Sequence, residues 1–377
     1  MRLLVSLIAS AAVVVGSPFV GEIRAAIRAA FPVAFTSLLG AGLAALIGLA
    51  VAAIVWRVRE RRLLRVGLLA ASLVVGVAYA LAVRTGEGEV DAVERFHFLE
   101  YALIAWLFYR AWRPRGDLSA LVLPACATVI VGVVDEWVQW FIPSRVGELH
   151  DVWLNGAAAG CGLVASLGVA PPTRFSWRFA PGSLTRVGLA AASLVCALSV
   201  FVQSVHLGHW VEDPEVGRFE SRYTRERLIQ LAGERASWWR RAAPLPEALF
   251  AREDQYLGEA LRHVRQRNRT WDIDVSAAWR ENRILEKYYA PALDLRPEPS
   301  APGFRWPPAQ RADAAGRAGP AAGAVSDAMG LPVYKWSPPA FWMLAFTLMG
   351  ITAVSGVMVD RRRRFSRTTD DIADTKG

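Results

Sequence analysis

Cysteine and histidine are scarce in this sequence of 377 residues, and nearly all of its cationic side chains are arginine. The three cysteines, Cys126, Cys161 and Cys196, lie in apolar stretches, and no two have the spacing of metal ligands. An odd number of cysteines in such stretches argues against a disulfide framework, so we expect free thiols. The sequence also lacks an HExxH motif, a P-loop and a nucleophile elbow. It therefore predicts neither a metal site nor a cofactor.

Long uncharged stretches dominate what the sequence does contain, since 54% of its residues are hydrophobic. A helix that crosses a bilayer needs about 20 apolar residues. Eight stretches qualify, at residues 3–20, 33–56, 63–83, 93–112, 118–137, 152–169, 187–206 and 339–359. The first could instead be a signal peptide, but its basic n-region is weak and no cleavage site follows cleanly, so we favour a retained helix. The sequence predicts an all-α polytopic membrane protein.

Arginine clusters between these stretches predict the orientation of the chain. With eight spans, the clusters within residues 57–65, 110–115, 174–186 and 361–364 all fall on one side of the membrane. The positive-inside rule makes that side cytoplasmic, together with both termini. Because the arginines follow this topological pattern, the net charge of +9 does not indicate a nucleic-acid partner. Residues 207–338 are then extracytoplasmic.

This outward segment divides by composition into two parts. Residues 207–295 predict a small soluble helical domain, in which the apolar residues of 247–267 form one helical stripe. The charged segment 212–227 is interpreted as a solvated helix start, with Thr224 capping the next helix. Residues 296–338 are rich in Pro, Ala and Gly, which predicts an extended tether to the last span. The domain boundaries therefore fall at 1–62, 63–206, 207–295, 296–338 and 339–377.

Polar side chains gather at the ends of three predicted spans, on the outward side. Charged groups at this depth are costly unless they pair or line a cavity, so we interpret them as a ligand pocket, with an ion-pair cluster that ties the helices together as the alternative. The candidate ligand-binding residues are His97, Glu100, Tyr101, Asp135, Glu136, Gln139, Arg145, Asp151 and Asn155.

The same residues carry a resemblance to a known family. The segments ERFHFLEY (94–101), DEWVQWFIPSR (135–145) and DVWLNG (151–156) resemble the VanZ-like family of bacterial membrane proteins, which are named for a teicoplanin-resistance determinant. The likeness covers roughly residues 63–169 and departs at Arg95, where the family has Lys. It implies a cell-envelope protein of the bacterial cytoplasmic membrane, with a link to glycopeptide susceptibility.

Three functions follow as expectations. The first is a non-enzymatic protein that binds membrane lipid headgroups or a cell-wall precursor at the outer face. The second is a membrane enzyme acting on a lipid-linked phosphate or glycan, with Glu136 or Asp135 as general base and His97 as acid. The third is an accessory subunit that docks a membrane protein partner through residues 207–295. A zinc site of His206 and His209 with Glu100 or Asp151 is weighed against simple interfacial histidines, and the latter are favoured.

Overall fold

The computed structural model describes residues 1–31, 34–82, 88–142, 147–241, 255–296, 302–319, 325–329 and 336–374. The chain forms two compact units. The first unit comprises Met1–Val138, Gly147–Phe201 and Trp342–Gly377, and the second comprises Gln139–Val146 and Val202–Phe341. The boundaries of these units fall near the ends of long helices.

The described chain is mostly helical, as the sequence predicts, and also contains one β-hairpin and a 3-10 turn at Arg113–Arg115. The helices up to the hairpin are α1 (Arg2–Ala30), α2 (Phe35–Arg57), α3 (Arg62–Ala82), α4 (Gly88–Trp112), α5 (Ser119–Trp140), α6 (Leu149–Val169) and α7 (Ser183–Val205). The strands are β1 (His209–Asp213) and β2 (Gly217–Ser221). The remaining helices are α8 (Arg225–Trp239), α9 (Gln255–Thr270), α10 (Val275–Tyr288), α11 (Ala290–Leu293), α12 (Pro308–Arg317) and α13 (Pro338–Asp374).

Six helices are long and apolar enough to cross a membrane within the described part of the chain. They lie in α2, α3, α5, α6, α7 and α13, and match six of the stretches chosen from the sequence. A helix satisfies all of its backbone hydrogen bonds within one segment, which is why long apolar stretches adopt it in lipid. The other two predicted spans lie on α1 and α4. The apolar part of α1 that qualifies, Arg2–Ser17, is shorter, and α4 carries several ionisable residues.

Close backbone contacts join the helices of the first unit around α4 and α6. Helix α4 packs against α1, α2 and α6, and α3 packs against α6. A Cβ atom added at Gly162 on α6 would overlap the backbone of Ala102 on α4, so the two helices meet where there is no side chain. Small residues permit this approach between membrane helices. The contact fixes the distance between the two helices near the polar residues described below.

The second unit contains a β-hairpin where the sequence suggested a helix start. Strands β1 and β2 pair antiparallel, with Val211 opposite Phe219 and Asp213 opposite Gly217. The turn contains Pro214, which lacks a backbone N–H, and ends at Gly217, whose φ of 83° favours glycine. The helical interpretation of residues 212–227 is therefore wrong for this hairpin. Only its last part is helical, and Thr224 caps α8 by accepting a hydrogen bond from the Arg227 backbone N–H, as predicted.

Helices α8, α9, α10 and α11 pack with the hairpin around one apolar core. The part of the predicted stripe that lies on α9 is confirmed, since Tyr256, Leu257, Ala260 and Val264 are all buried. Leu249, which the stripe also included, lies outside the described residues. Amphipathic helices of this kind bury one face and leave the charged face in water.

Part of the segment 296–338 is folded, which differs from the predicted tether. Residues 308–317 form α12, and Ala314 of this helix is buried with Trp306 and Ala278. The Arg311 guanidinium also donates to both carboxylate oxygens of Glu286 on α10, at 2.6 and 3.0 Å. Alanine and arginine supply these contacts, so the scarcity of large apolar residues concealed them in the sequence.

Candidate functional site

Helix α4 presents His97, Glu100 and Tyr101 on neighbouring turns, because residues three and four apart share a helix face. The Nδ1 atom of His97 lies 3.5 Å from a carboxylate oxygen of Glu100. The His97 ring meets the Tyr101 ring edge-on, with 4.9 Å between ring centroids. Tyr101 is fully buried, whereas His97 remains partly accessible. The helix thus holds the imidazole between an acidic side chain and an aromatic ring.

The last two turns of α5 supply two buried carboxylates. Asp135 is 1% exposed and Glu136 is 0% exposed. The Tyr101 hydroxyl donates to Asp135 Oδ2 at 2.9 Å, and His97 Nε2 lies 3.5 Å from Glu136 Oε1. Helices α4 and α5 are therefore connected by two separate polar contacts. A buried carboxylate is tolerated only with such partners, because leaving water costs a charged group several kcal/mol.

The beginning of α6 completes the group. The backbone N–H of Glu148, which is the N-cap residue of α6, donates to Glu136 Oε2 at 3.3 Å. Asp151 lies in the first turn of this helix, and its charge acts on Glu136. One turn further, Asn155 is fully buried. His97, Tyr101, Asp135, Glu136 and Asn155 are named the polar cluster below.

The Asn155 amide is the unusual member of the polar cluster. Neither its Oδ1 nor its Nδ2 atom has a hydrogen-bond partner among the residues that the structure describes. The side chain fills the space beside Gly132, where an added Cβ would lie 2.8 Å from Nδ2. Gly132 is one turn before Asp135 and Glu136 on α5, so Asn155 lies on the same face as the two carboxylates. Buried amides are nearly always hydrogen-bonded, so this one points to a ligand or solvent in the group.

The polar cluster can do three kinds of chemistry. Its carboxylates can accept hydrogen bonds from hydroxyl or ammonium groups, and His97 beside Glu136 can transfer a proton. It can also hold a cation, because ligand atoms of His97, Asp135 and Glu136 all lie within 4.8 Å of one another. The sequence predicted no metal site, and this set escaped it because the histidine and the carboxylates come from different helices.

The structure brings most of the predicted site residues together. His97, Glu100, Tyr101, Asp135, Glu136, Asp151 and Asn155 all belong to the first unit, and the contacts above connect them. Gln139 is buried but belongs to the second unit. Arg145 lies outside the described residues. His206 and His209 are not among the residues of the candidate metal set found in the described part of the chain, and His206 is buried.

Buried polar residues of the second unit escaped the sequence analysis. His263 Nδ1 lies 2.6 Å from Glu281 Oε2, and both side chains are buried. The Glu259 carboxylate accepts from the Ser221 and Tyr289 hydroxyls, at 2.7 Å each. Glu259 and His263 are four residues apart, on the buried side of α9. That spacing was available in the sequence, but the apolar stripe around it concealed the polar positions.

Asp213 anchors a second group of contacts in the same unit. Its carboxylate accepts from the Tyr288 hydroxyl at 2.6 Å and from Lys287 Nζ at 2.9 Å, and it pairs with Arg225 at 3.2 Å. Burial alone would raise the pKa of Asp213, but the hydrogen bonds from Tyr288 and Lys287 hold it well below its usual value. Asp213 is thus ionised in the folded unit and ties β1 to α8 and α10.

Comparison with protein-family models, curated proteins and solved structures gives no match for this chain. The likeness to VanZ-like proteins therefore rests on the sequence motifs alone.

Proposed function

We propose that the chain is a multi-pass protein of the bacterial cytoplasmic membrane that binds a hydroxyl-rich lipid headgroup or cell-wall precursor. The observation that carries the proposal is the burial of Asp135, Glu136 and Asn155 among apolar helices. Ionisable groups inside a membrane bundle are retained at a cost and mark functional sites by default. The VanZ-like motifs include all three residues, which supports a role in the cell envelope.

The chemistry of the polar cluster favours hydroxyl groups over a bare anion. Among the described residues, Glu100, Asp135 and Glu136 surround one histidine. Carboxylates repel a phosphate but accept hydrogen bonds from sugar hydroxyls at full charge-assisted strength. Arg145, assigned to the site from the sequence, would supply the guanidinium that pairs with a headgroup phosphate. A glycan joined to a lipid phosphate offers both kinds of group.

The proposed topology has eight spans, with both termini in the cytoplasm and residues 207–338 outside. It adds α1 and α4 to the six helices that qualify by length and hydropathy. The arginine clusters support α4 as a span, because clusters 57–65 and 110–115 lie on the same side only if both α3 and α4 cross between them. The retained helix α1 is proposed from its apolar stretch. The polar cluster then lies toward the outer face, where cell-wall precursors are consumed.

The experiment measures binding of a polyisoprenyl-linked glycan precursor to the full chain in nanodiscs, by native mass spectrometry. We expect Glu136→Gln and Arg145→Ala each to weaken binding about tenfold or more, because each removes a charged hydrogen-bonding partner. Thr128→Ala is the matched control, since Thr128 is a buried residue of α5 whose hydroxyl donates to the Pro124 carbonyl of the same helix. Wild-type affinity in folded Glu136→Gln protein would refute the proposal.

A second candidate is an enzyme acting on the same class of lipid. The observation that favours it is the proximity of His97 Nε2 to Glu136 Oε1, at 3.5 Å, which suits an acid and a base acting together. Its test is turnover of the glycan precursor by purified protein, followed by chromatography. Product formation that is lost in Glu136→Gln, while binding is retained, would favour the enzyme over the binding protein.

A further inference from the structure

The positions of the ligand atoms in the polar cluster resemble those of a metal site. In tetrahedral zinc sites the metal–ligand bonds are about 2.0–2.2 Å long, which places neighbouring ligand atoms about 3.3–3.6 Å apart. His97 Nε2 and Glu136 Oε1 are 3.5 Å apart. This distance is too long for a good hydrogen bond but suits two ligands of one ion. Asp135 lies within reach, because ligand atoms of the three residues are all within 4.8 Å of one another.

The residues around these three side chains match the outer partners of a metal site. A metal-bound histidine usually has its second ring nitrogen beside a carboxylate, which fixes the ring and raises its basicity. Glu100 occupies this position beside His97, since one of its carboxylate oxygens lies 3.5 Å from Nδ1, which is close but longer than a good hydrogen bond. The Asp135 carboxylate is likewise held by the Tyr101 hydroxyl at 2.9 Å. Tyr101 on α4 thus orients Asp135, and Glu100 on the same helix lies beside the second ring nitrogen of His97.

The Asn155 amide provides an independent observation. It is fully buried, with no hydrogen-bond partner among the described residues, and it lies on the Asp135–Glu136 face of α5 beside Gly132. A buried amide without a partner is unfavourable, because its polar atoms have left water without gaining a hydrogen bond. An ion in the polar cluster, or the water that it binds, would satisfy the amide oxygen.

We infer that His97, Asp135 and Glu136 form a binding site for a divalent transition-metal ion, with Zn²⁺ as the ion that fits best. An imidazole nitrogen selects zinc over magnesium and calcium, which prefer oxygen ligands throughout. Asn155 contacts the ion or its bound water. The site does not depend on the proposed headgroup binding, and it gives the carboxylates a positive partner inside the membrane.

The test is a Zn²⁺ titration of the full chain in detergent, after removal of metal with a chelator and without added glycan precursor. Competition with a fluorescent zinc chelator gives the affinity and the stoichiometry. We expect about one ion per chain, and a loss of affinity of at least about tenfold in His97→Gln and in Glu136→Gln. His150→Gln is the control, because His150 is exposed on α6 and outside the metal set, and its affinity should equal that of the wild type.

Two results would overturn the inference. One is equal Zn²⁺ affinity in the wild type and in the folded His97→Gln/Glu136→Gln double variant. The other is an equal loss of affinity in His150→Gln, which would show non-specific binding by histidines. Because no glycan precursor is added, failure of the zinc site is distinguishable from failure of the proposed function.

A measurement on the unaltered chain covers the case in which the variants do not fold. Diethyl pyrocarbonate modifies accessible imidazoles, and mass spectrometry measures its addition at His97 and His150 with and without Zn²⁺. We expect Zn²⁺ to protect His97 at least about tenfold and to leave His150 reactive. Equal protection of both residues, or of neither, contradicts the site.

Discussion

At the scale of single residues, two buried tyrosines of α4 allow a test of how the acceptor changes the contribution of a hydrogen bond to the free energy of unfolding. The Tyr101 hydroxyl donates to the Asp135 carboxylate at 2.9 Å, and the Tyr109 hydroxyl donates to the Ala170 carbonyl at 2.8 Å. Both side chains are fully buried. We expect Tyr101→Phe to cost about 1.5–3 kcal/mol and Tyr109→Phe about 1 kcal/mol, because the first removes a bond to a charged group.

The measurement is the loss of melting temperature in each of the two variants, determined by thermal unfolding in the same detergent. The substitution is identical and the helix is the same, so differences in helix propensity and side-chain volume cancel. A larger loss of melting temperature in Tyr109→Phe than in Tyr101→Phe would show that Asp135 has a better partner than Tyr101.

Asp213 predicts how the second unit responds to acid. Its folded-state pKa is lowered, since the bonds from Tyr288 and Lys287 outweigh the effect of burial. Such a carboxyl contributes stability that is present above its unfolded pKa of about 3.9 and is lost as the pH falls toward the folded value. We therefore expect the backbone amides of the β1–β2 hairpin to lose protection from hydrogen exchange below about pH 4. The measurement is the protection factor of these amides in the full chain, which corrects for the pH dependence of the intrinsic exchange rate.

The variant Asp213→Asn distinguishes the contribution of this carboxyl to the acid response from the contributions of other carboxyl groups. At neutral pH the variant should lose about 1–3 kcal/mol in the hairpin, because the hydrogen bonds from Tyr288 and Lys287 lose their charged acceptor. Its loss of protection between about pH 4 and pH 3 should be smaller than that of the wild type. A wild-type acid response in the variant would assign the effect to another carboxyl.

At the scale of elements, the contact between α4 and α6 depends on the absence of a side chain at Gly162. An added Cβ would overlap the backbone of Ala102, whereas Gly160 on the same helix has open space around it. We expect Gly162→Ala to lower stability by about 1–3 kcal/mol through overpacking. Gly160→Ala should be neutral or stabilising by up to about 1 kcal/mol, since alanine favours a helix over glycine. Melting temperatures of the two variants test this, and equal values would contradict the close approach.

The elements differ in how far the sequence predicts them. Long helices such as α2 follow from apolar length alone, because lipid leaves the backbone few other conformations. The hairpin was missed because its inward positions mix apolar and polar residues, Val211 and Phe219 with Asp213 and Ser221. Strand prediction relies on alternation of apolar and polar residues, and buried polar side chains hide it. Helix α12 was missed for a related reason, since Arg311 holds it through an ion pair.

In the polar cluster, too, the sequence predicts contacts within one helix but not the distances between helices. The sequence places His97 with Glu100 and Tyr101, because they are three and four residues apart on one helix. It also identifies Asp135 and Glu136 as costly groups in a span. The 3.5 Å between His97 and Glu136 is a property of how α4 packs on its neighbours, and no spacing along the chain encodes it.

At the scale of the whole molecule, the proposed topology has a direct test in labelling with a membrane-impermeant thiol reagent. In a chain with Cys126, Cys161 and Cys196 replaced by alanine, single cysteines are introduced at Ile273 and Trp177, which are 82% and 76% exposed. Position 273 lies in the segment proposed to be outside, and position 177 lies in an arginine-bearing loop proposed to be cytoplasmic. We expect Ile273→Cys to be labelled in intact cells and Trp177→Cys to be labelled only after the membrane is permeabilised. The reverse pattern would place the polar cluster toward the cytoplasm and refute the proposed binding of a cell-wall precursor at the outer face. Labelling of both positions in intact cells would require an even number of spans between them, which contradicts the single span α7.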